Sequence, residues 1–361
     1  MEQLLQHNGG TNNPTIKKEG NLAYMTYFRG FAIIMIVMVH CITSFLNTKN
    51  PSYPYLYSFF VHSTNIFLFI SGFLFEYLQF KKYPYGTFIK KKVNRLIVPY
   101  LFWALPVAIV LMLTKYKESG WEYLAYTMWT GLNHGNNAHW YITFIFMVFL
   151  IFPPLRKTIS SGKVLFGILM PVFLFLSFIS GRAHAGWFYG QLNFFPLIGF
   201  FFLGMCFARY REVLVHRIYK YDWLILILGY VICFFQGFAN LGNGDPFEDT
   251  IFNLFHGIII INYGALNKIC FSIGFLLLFF RIGFKTSKIQ LLEKLAHYSF
   301  AIYFVHLYVI DGVDFILKRF GLQQNGGMLF FLTASLVVLS ISAAIVWGLR
   351  QIKLTRNILG V

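Results

Sequence analysis

The chain has 361 residues, of which 57% are hydrophobic, 20% aromatic and only 12% charged, a balance that excludes a soluble globular domain whose surface must face water. Its net charge of +17 does not mark a nucleic-acid partner, because the basic residues are spread over alternate loops and not gathered into one patch. Cys41, Cys206, Cys233 and Cys270 show no CxxC spacing, which leaves no disulfide framework and no metal site to build on.

Residues 1–21 are polar and rich in Asn, Gln and Gly, the composition of a disordered tail. The first apolar run is too long for a signal-peptide core and lacks a small-residue cleavage site, so it is expected to be retained. Long apolar runs bounded by charge, Pro or Gly then predict membrane spans near 24–46, 57–79, 96–113, 139–155, 164–180, 191–208, 222–239, 265–283, 297–317 and 328–349. The stretch 250–262 is apolar but too short to cross as a helix, and a re-entrant or interfacial segment is expected there.

Ten crossings with both ends inside place 23 of the 30 Lys and Arg residues on the cytoplasmic side and seven, Lys268 among them, in the outer set, the asymmetry of the positive-inside rule. The expected fold is therefore an all-α, multi-pass helix bundle of about ten transmembrane helices in the plasma membrane. Its membrane domain runs over 22–350, and cytoplasmic tails lie at 1–21 and 351–361. Tyr100 with Trp103, and Trp140 with Tyr141, sit at span ends as interfacial anchors do. No internal repeat is visible, so the inverted-repeat pattern of many secondary transporters gains no support.

Ionisable side chains inside spans are costly and mark candidate function. Arg29 and His40 both lie in the first span, YFRGFAIIMIVMVHCITSF. Eleven residues at 100° each return to within about 20° of one face with a rise of roughly 16 Å. Arg29 near the cytoplasmic end suits an anion arriving from that side, and a dry imidazole deeper in can take a proton from a hydroxyl. The plainer alternative is an arginine that snorkels to the inner headgroups and a histidine that bonds a neighbouring helix.

In the second span, FLFISGFLFEYLQFKK, Ser71 and Gly72 allow a close backbone approach, and Glu76 lies at a depth that suits pairing with Arg29. Lys90, Lys91, Lys92 and Arg95 precede the third span; such a cluster can hold nucleotide phosphates or simply set topology. His139 opens the fourth span, Arg182 lies in a short outer loop, and the ninth span carries His306 with Asp311 and Asp314 beyond it. Polar groups at an outer mouth suit a hydroxylated acceptor, although each alone also has a structural reading. No P-loop, HExxH, GxSxG or Cys/His metal spacing is present.

These blocks come in a specific order: Arg-x10-His in the first span, FISGFL in the second, a basic run into RLIVPY, HWYI at the fourth and SFAIYFVHL in the ninth. Together they make the chain resemble the membrane-bound acyltransferase family 3, over about residues 22–350. That resemblance implies transfer of an acyl group, usually acetyl from acetyl-coenzyme A, to a hydroxyl of a glycan or other envelope molecule. It makes Arg29 and His40 the functional pair, with His40 as general base or transient acyl carrier. The family's Arg-x-x-Arg at the third span is met here by Lys92 and Arg95, a departure at the first position. The cofactor side is then expected to draw on Arg29, Lys92, Arg95, Ser71 and Glu76, and the acceptor side on His139, His306, Asp311 and Arg182, without metal. Export of a polysaccharide or lipid-linked sugar is the competing expectation.

Overall fold

The computed structural model describes residues 22–79, 84–114, 118, 120–122, 124–125, 140–154, 161–180, 197–243, 251–254, 259–285, 289–322 and 326–352. The expected tail at 1–21, His139, Arg182 and most of 351–361 lie outside them. Helices α1 (Ala23–Phe45), α2 (Tyr53–Phe60), α3 (Thr64–Leu74), α4 (Tyr85–Lys92), α5 (Val98–Thr114) and α6 (Trp140–Ile151) come first. After α7 (Gly162–Phe178) come α8 (Ile198–Arg209), α9 (Arg211–Ile218), α10 (Asp222–Asn243), α11 (Tyr263–Lys285), α12 (Gln290–Arg319) and α13 (Met328–Gln351). Over its described residues, every expected span falls on apolar helix. Among the described residues, seven helical stretches are long and apolar enough to cross a bilayer, while α6, α7 and α8 are shorter. Pro153 and Pro154 follow α6 closely and deny its continuation the backbone donors it needs.

The stretch 250–262 departs from an all-helical chain. Ile251–Leu254 (β1) pairs antiparallel with Ile259–Asn262 (β2), in register Ile251 to Asn262. Isoleucine fills three of the four positions of β2, and β1 opens with Ile251 and Phe252; β-branched and aromatic side chains favour extended backbone over helix.

The second span is broken. Its first helix, α2, ends at Phe60, His62 takes a left-handed conformation with φ 60°, and α3 begins at Thr64. Ending a helix inside the bundle strands its last carbonyls, and buried side chains from α10 and α11 meet them. Lys268 Nζ donates to Phe59 O at 2.7 Å and to Asn267 Oδ1 at 3.1 Å. Asn267 Nδ2 and Cys233 Sγ both reach Ser58 O at 3.3 Å. Lys268, assigned to an outer loop by charge counting, is instead fully buried: its ammonium caps a helix end inside the protein.

Close helix contacts set the remaining geometry. Gly72 on α3 lies against the Phe201 carbonyl of α8, and Gly204 on α8 against the Phe69 carbonyl of α3; a methyl at either site would overlap backbone. Small residues thus bring two apolar helices together where lipid provides no hydrophobic drive. Farther along, Glu76 reaches Arg209, so α3 and α8 run in the same direction. Ser71 with Tyr141, then Phe75 with Phe149, show α3 and α6 parallel as well.

The pairs Tyr24–Phe280 and Phe31–Phe275 make α1 and α11 antiparallel. Asp222–Arg281 and Asn267–Gln236 do so for α10 and α11. Gly162 beside Tyr210 and Gly199 beside Phe173 do so for α7 and α8. Helix α1 instead runs parallel to α12, as the contacts below show.

Candidate active site

The site forms where α1 packs on α12. Gly30 makes that approach possible, because any Cβ at this position would overlap the Leu292 carbonyl. Beside it, Arg29 turns its guanidinium onto α12. Nε donates to Ala296 O at 3.0 Å and to Ser299 Oγ at 2.9 Å, and Nη2 also donates to Ala296 O. Ser299 in turn donates to Ala296 O at 2.8 Å. Among the described residues no carboxylate pairs with Arg29, so its charge is met by a carbonyl and a hydroxyl.

Eleven residues up α1, His40 meets His306 on the same neighbouring helix, with ring centroids 5.3 Å apart and planes at 52°. Ten residues separate Ala296 from His306 on α12, so the rise of about 1.5 Å per residue keeps the two helices in step and parallel. His306 is fully buried, and its Nδ1 lies 3.0 Å from Ile302 O. The Tyr303 ring follows at 5.9 Å from His306, and Tyr141 of α6 packs on Tyr303 at 5.9 Å. Tyr141 shares a 2.9 Å hydrogen bond with Ser71. The structure therefore connects Arg29, His40, His306, Tyr303, Tyr141 and Ser71 through adjoining faces of α1, α12, α6 and α3.

Other expected site residues go elsewhere. Glu76 does not pair with Arg29. It lies on the π-helical turn Phe75–Gln79 and accepts from Arg209 Nε at 2.8 Å, because the Gly72–Gly204 contact brings the ends of α3 and α8 together. Both partners are largely buried, so Glu76→Gln should lower stability by about 1–3 kcal/mol through a weakened charged hydrogen bond, read as a lower unfolding midpoint in detergent. An unchanged midpoint would show that this pair does not hold α3 to α8.

Lys92 Nζ sits 4.0 Å from the centre of the Phe149 ring, while Arg95, on the next π-helical turn, is exposed. Lys92 thus packs on α6, an alternative use for a cation placed at an apolar helix face. Asp311 is exposed, and its neighbour Asp314 pairs with Lys318 at 2.6 Å.

The acyltransferase 3 family model, described as an acyltransferase domain, matches residues 22–347. The chain belongs to this family. It is a membrane protein whose family supports acyltransferase activity. Two proteins of Staphylococcus aureus, from strains MRSA252 and MSSA476, are named probable poly-beta-1,6-N-acetyl-D-glucosamine export proteins and are similar to it. Each is 22% identical, over 362 and 359 residues respectively, and each alignment covers 93% of this chain and 95% of the relative. No solved structure matches.

Sequence reasoning assigned no role to Ser299 or Tyr303 and took Tyr141 only as an interfacial anchor. Ser299 and Tyr303 lie in the SFAIYFVHL block, and both are buried. Their 3.6-residue spacing towards His306 was the available signal, since positions 299, 303 and 306 share one helix face.

Proposed function

We propose that the chain is a membrane O-acyltransferase that moves an acyl group, acetyl in the simplest case, from a cytoplasmic acyl-coenzyme A to a hydroxyl of a cell-envelope glycan. The observation that carries this reading is the joint docking of Arg29 and His40 on α12, in a chain of the acyltransferase 3 family. Arg29 supplies a positive charge without a carboxylate partner among the described residues, suited to an anionic group of the donor. The roughly 16 Å of helix between it and His40 is a span that an extended thiol arm can bridge.

His40 acts as general base. As the acceptor oxygen bonds to the thioester carbonyl carbon, its proton passes to the imidazole. The carbon–sulfur bond then breaks, and sulfur leaves with that proton as free thiol.

Ten alternating crossings with both ends cytoplasmic suit the same reading. The helix directions fit that alternation: the first and ninth spans are parallel, the second is parallel to the fourth and sixth, the first and seventh are antiparallel to the eighth, and the fifth is antiparallel to the sixth. In the proposed orientation, in the plasma membrane, Arg29 lies at the cytoplasmic end of the first span, on the donor side. Single cysteines introduced near residues 49 and 318 in a variant lacking native cysteines should react with a membrane-impermeant thiol reagent in intact cells, and one introduced near residue 90 should not. Labelling of residue 90 would overturn this orientation.

The names of the relatives favour a second reading, glycan export. Purified protein in detergent, given acetyl-coenzyme A and a β-1,6-linked glucosamine oligosaccharide bearing free hydroxyls, should release thiol and yield an acetylated oligosaccharide. If proteoliposomes move the oligosaccharide while no acyl-coenzyme A is consumed with it or with other polyhydroxylated acceptors, export stands and acyl transfer falls.

A further inference from the structure

His306 carries an unused hydrogen-bonding atom. Its Nδ1 lies 3.0 Å from Ile302 O. A carbonyl oxygen only accepts, so Nδ1 holds the ring proton and Nε2 of the neutral ring is a bare lone pair. That Nε2 is buried and has no hydrogen-bond partner among the described residues. Leaving a buried acceptor unmet costs about 1–3 kcal/mol, so a merely structural histidine gains nothing from this arrangement. The next imidazole is His40, whose ring centre is 5.3 Å away, a separation at which a nitrogen on one ring, turned towards a nitrogen on the other, falls within hydrogen-bond range. Other ring neighbours of His306 offer less: Tyr303 lies on its own helix at 5.9 Å, and Tyr141 is engaged with Ser71 and Phe67.

We propose that His306 is a positioning residue for His40: its bare Nε2 accepts the N–H of the His40 ring and so selects which His40 nitrogen presents a lone pair to the reacting hydroxyl. This inference rests on the acyl-transfer reading above and assigns the group that orients its base. Bases are commonly held in one tautomer by a third group; here the third group is a neutral imidazole. Its own tautomer is set by one turn of α12, through the carbonyl four residues earlier. His306 neither gains nor loses a proton: the acceptor's proton goes to His40 and leaves with sulfur, while the His40 to His306 hydrogen bond persists.

The test compares His306→Leu and His306→Gln in the full chain, purified in detergent, by thiol release at varied acetyl-coenzyme A. Leu removes the acceptor, and kcat should fall about 100-fold, in the range for losing correct acid–base alignment, with KM for the donor unchanged. Gln can place an amide oxygen near the Nε2 position and should recover at least about tenfold of that loss. With His40→Ala already in place, His306→Leu should add little, because the two act as a unit. A folded Leu variant with full kcat, or a Gln variant no better than Leu, overturns the proposal.

Should Leu fail to fold, nitrogen NMR of 15N-histidine-labelled wild-type protein decides, with the His306 signals assigned by their loss in His306→Gln. Protonation at Nδ1 with a hydrogen-bonded Nε2 acceptor is expected, and protonation at Nε2 refutes the proposal. A wild-type chain that releases no thiol removes the acyl-transfer reading itself, while the tautomer measurement still tests the histidine pair separately.

Discussion

Replacing His40 by Ala should reduce acyl transfer by about 1,000-fold in kcat, within the range set by loss of a general base, while the KM for acetyl-coenzyme A changes little. The split follows from geometry. Donor anchoring is assigned to the Arg29 end of the shared face, whereas His40 lies eleven residues further along α1 beside His306. The side chain is half-buried and the truncation leaves the Gly30 contact intact, so the variant should insert and purify as the parent does. Thiol release measured against protein recovered from the membrane separates chemistry from expression. A well-folded His40→Ala protein that acetylates its acceptor at the parental rate would end the assignment of His40 as base.

Gly30→Val should be nearly as damaging, although residue 30 has no chemistry of its own. Its new atoms would overlap the Leu292 carbonyl, and overpacking of this kind typically costs about 1–3 kcal/mol. Backbone cannot yield as a flexible side chain can, so α1 must move off α12. That shift lengthens the Arg29 bonds to Ala296 and Ser299 and carries His40 away from His306. Displacing a catalytic group by about 1 Å can cost 100-fold in rate, and a loss of that order is expected together with a lower unfolding midpoint. Gly30→Ala should show the same two effects in smaller measure. Parental rate and midpoint in Gly30→Val would show that this crossing does not align the site.

The positions of the spans were legible because a bilayer demands about 20 apolar residues per crossing helix, and each expected run falls on a helix. The common face of Arg29 and His40 followed from helical periodicity alone. What they meet did not, because the acceptors on α12 include a main-chain carbonyl, Ala296 O, and every residue has one. Glu76 was matched to the wrong arginine since depth along a span says nothing of direction around it; the Gly72–Gly204 crossing supplied that direction.

Lys268 was counted as a loop charge because hydropathy cannot distinguish a helix end in water from one sealed within protein. The strands β1 and β2 were missed for a related reason: a short apolar run has too few periods to announce its conformation. Tyr141 carried two compatible meanings, a ring for the headgroup zone and a hydroxyl for Ser71, and only contacts across the bundle separate them.

The ammonium of Lys268, gripping the Phe59 carbonyl with Asn267 alongside, changes what the interruption at His62 means mechanically. A gap in a transmembrane helix is usually regarded as a joint, a place where one half swings relative to the other. Here the severed end is riveted to α11, so the bend acts as a rigid elbow. Any rearrangement that opens the bundle must then be sought in helices that lack such a fastening.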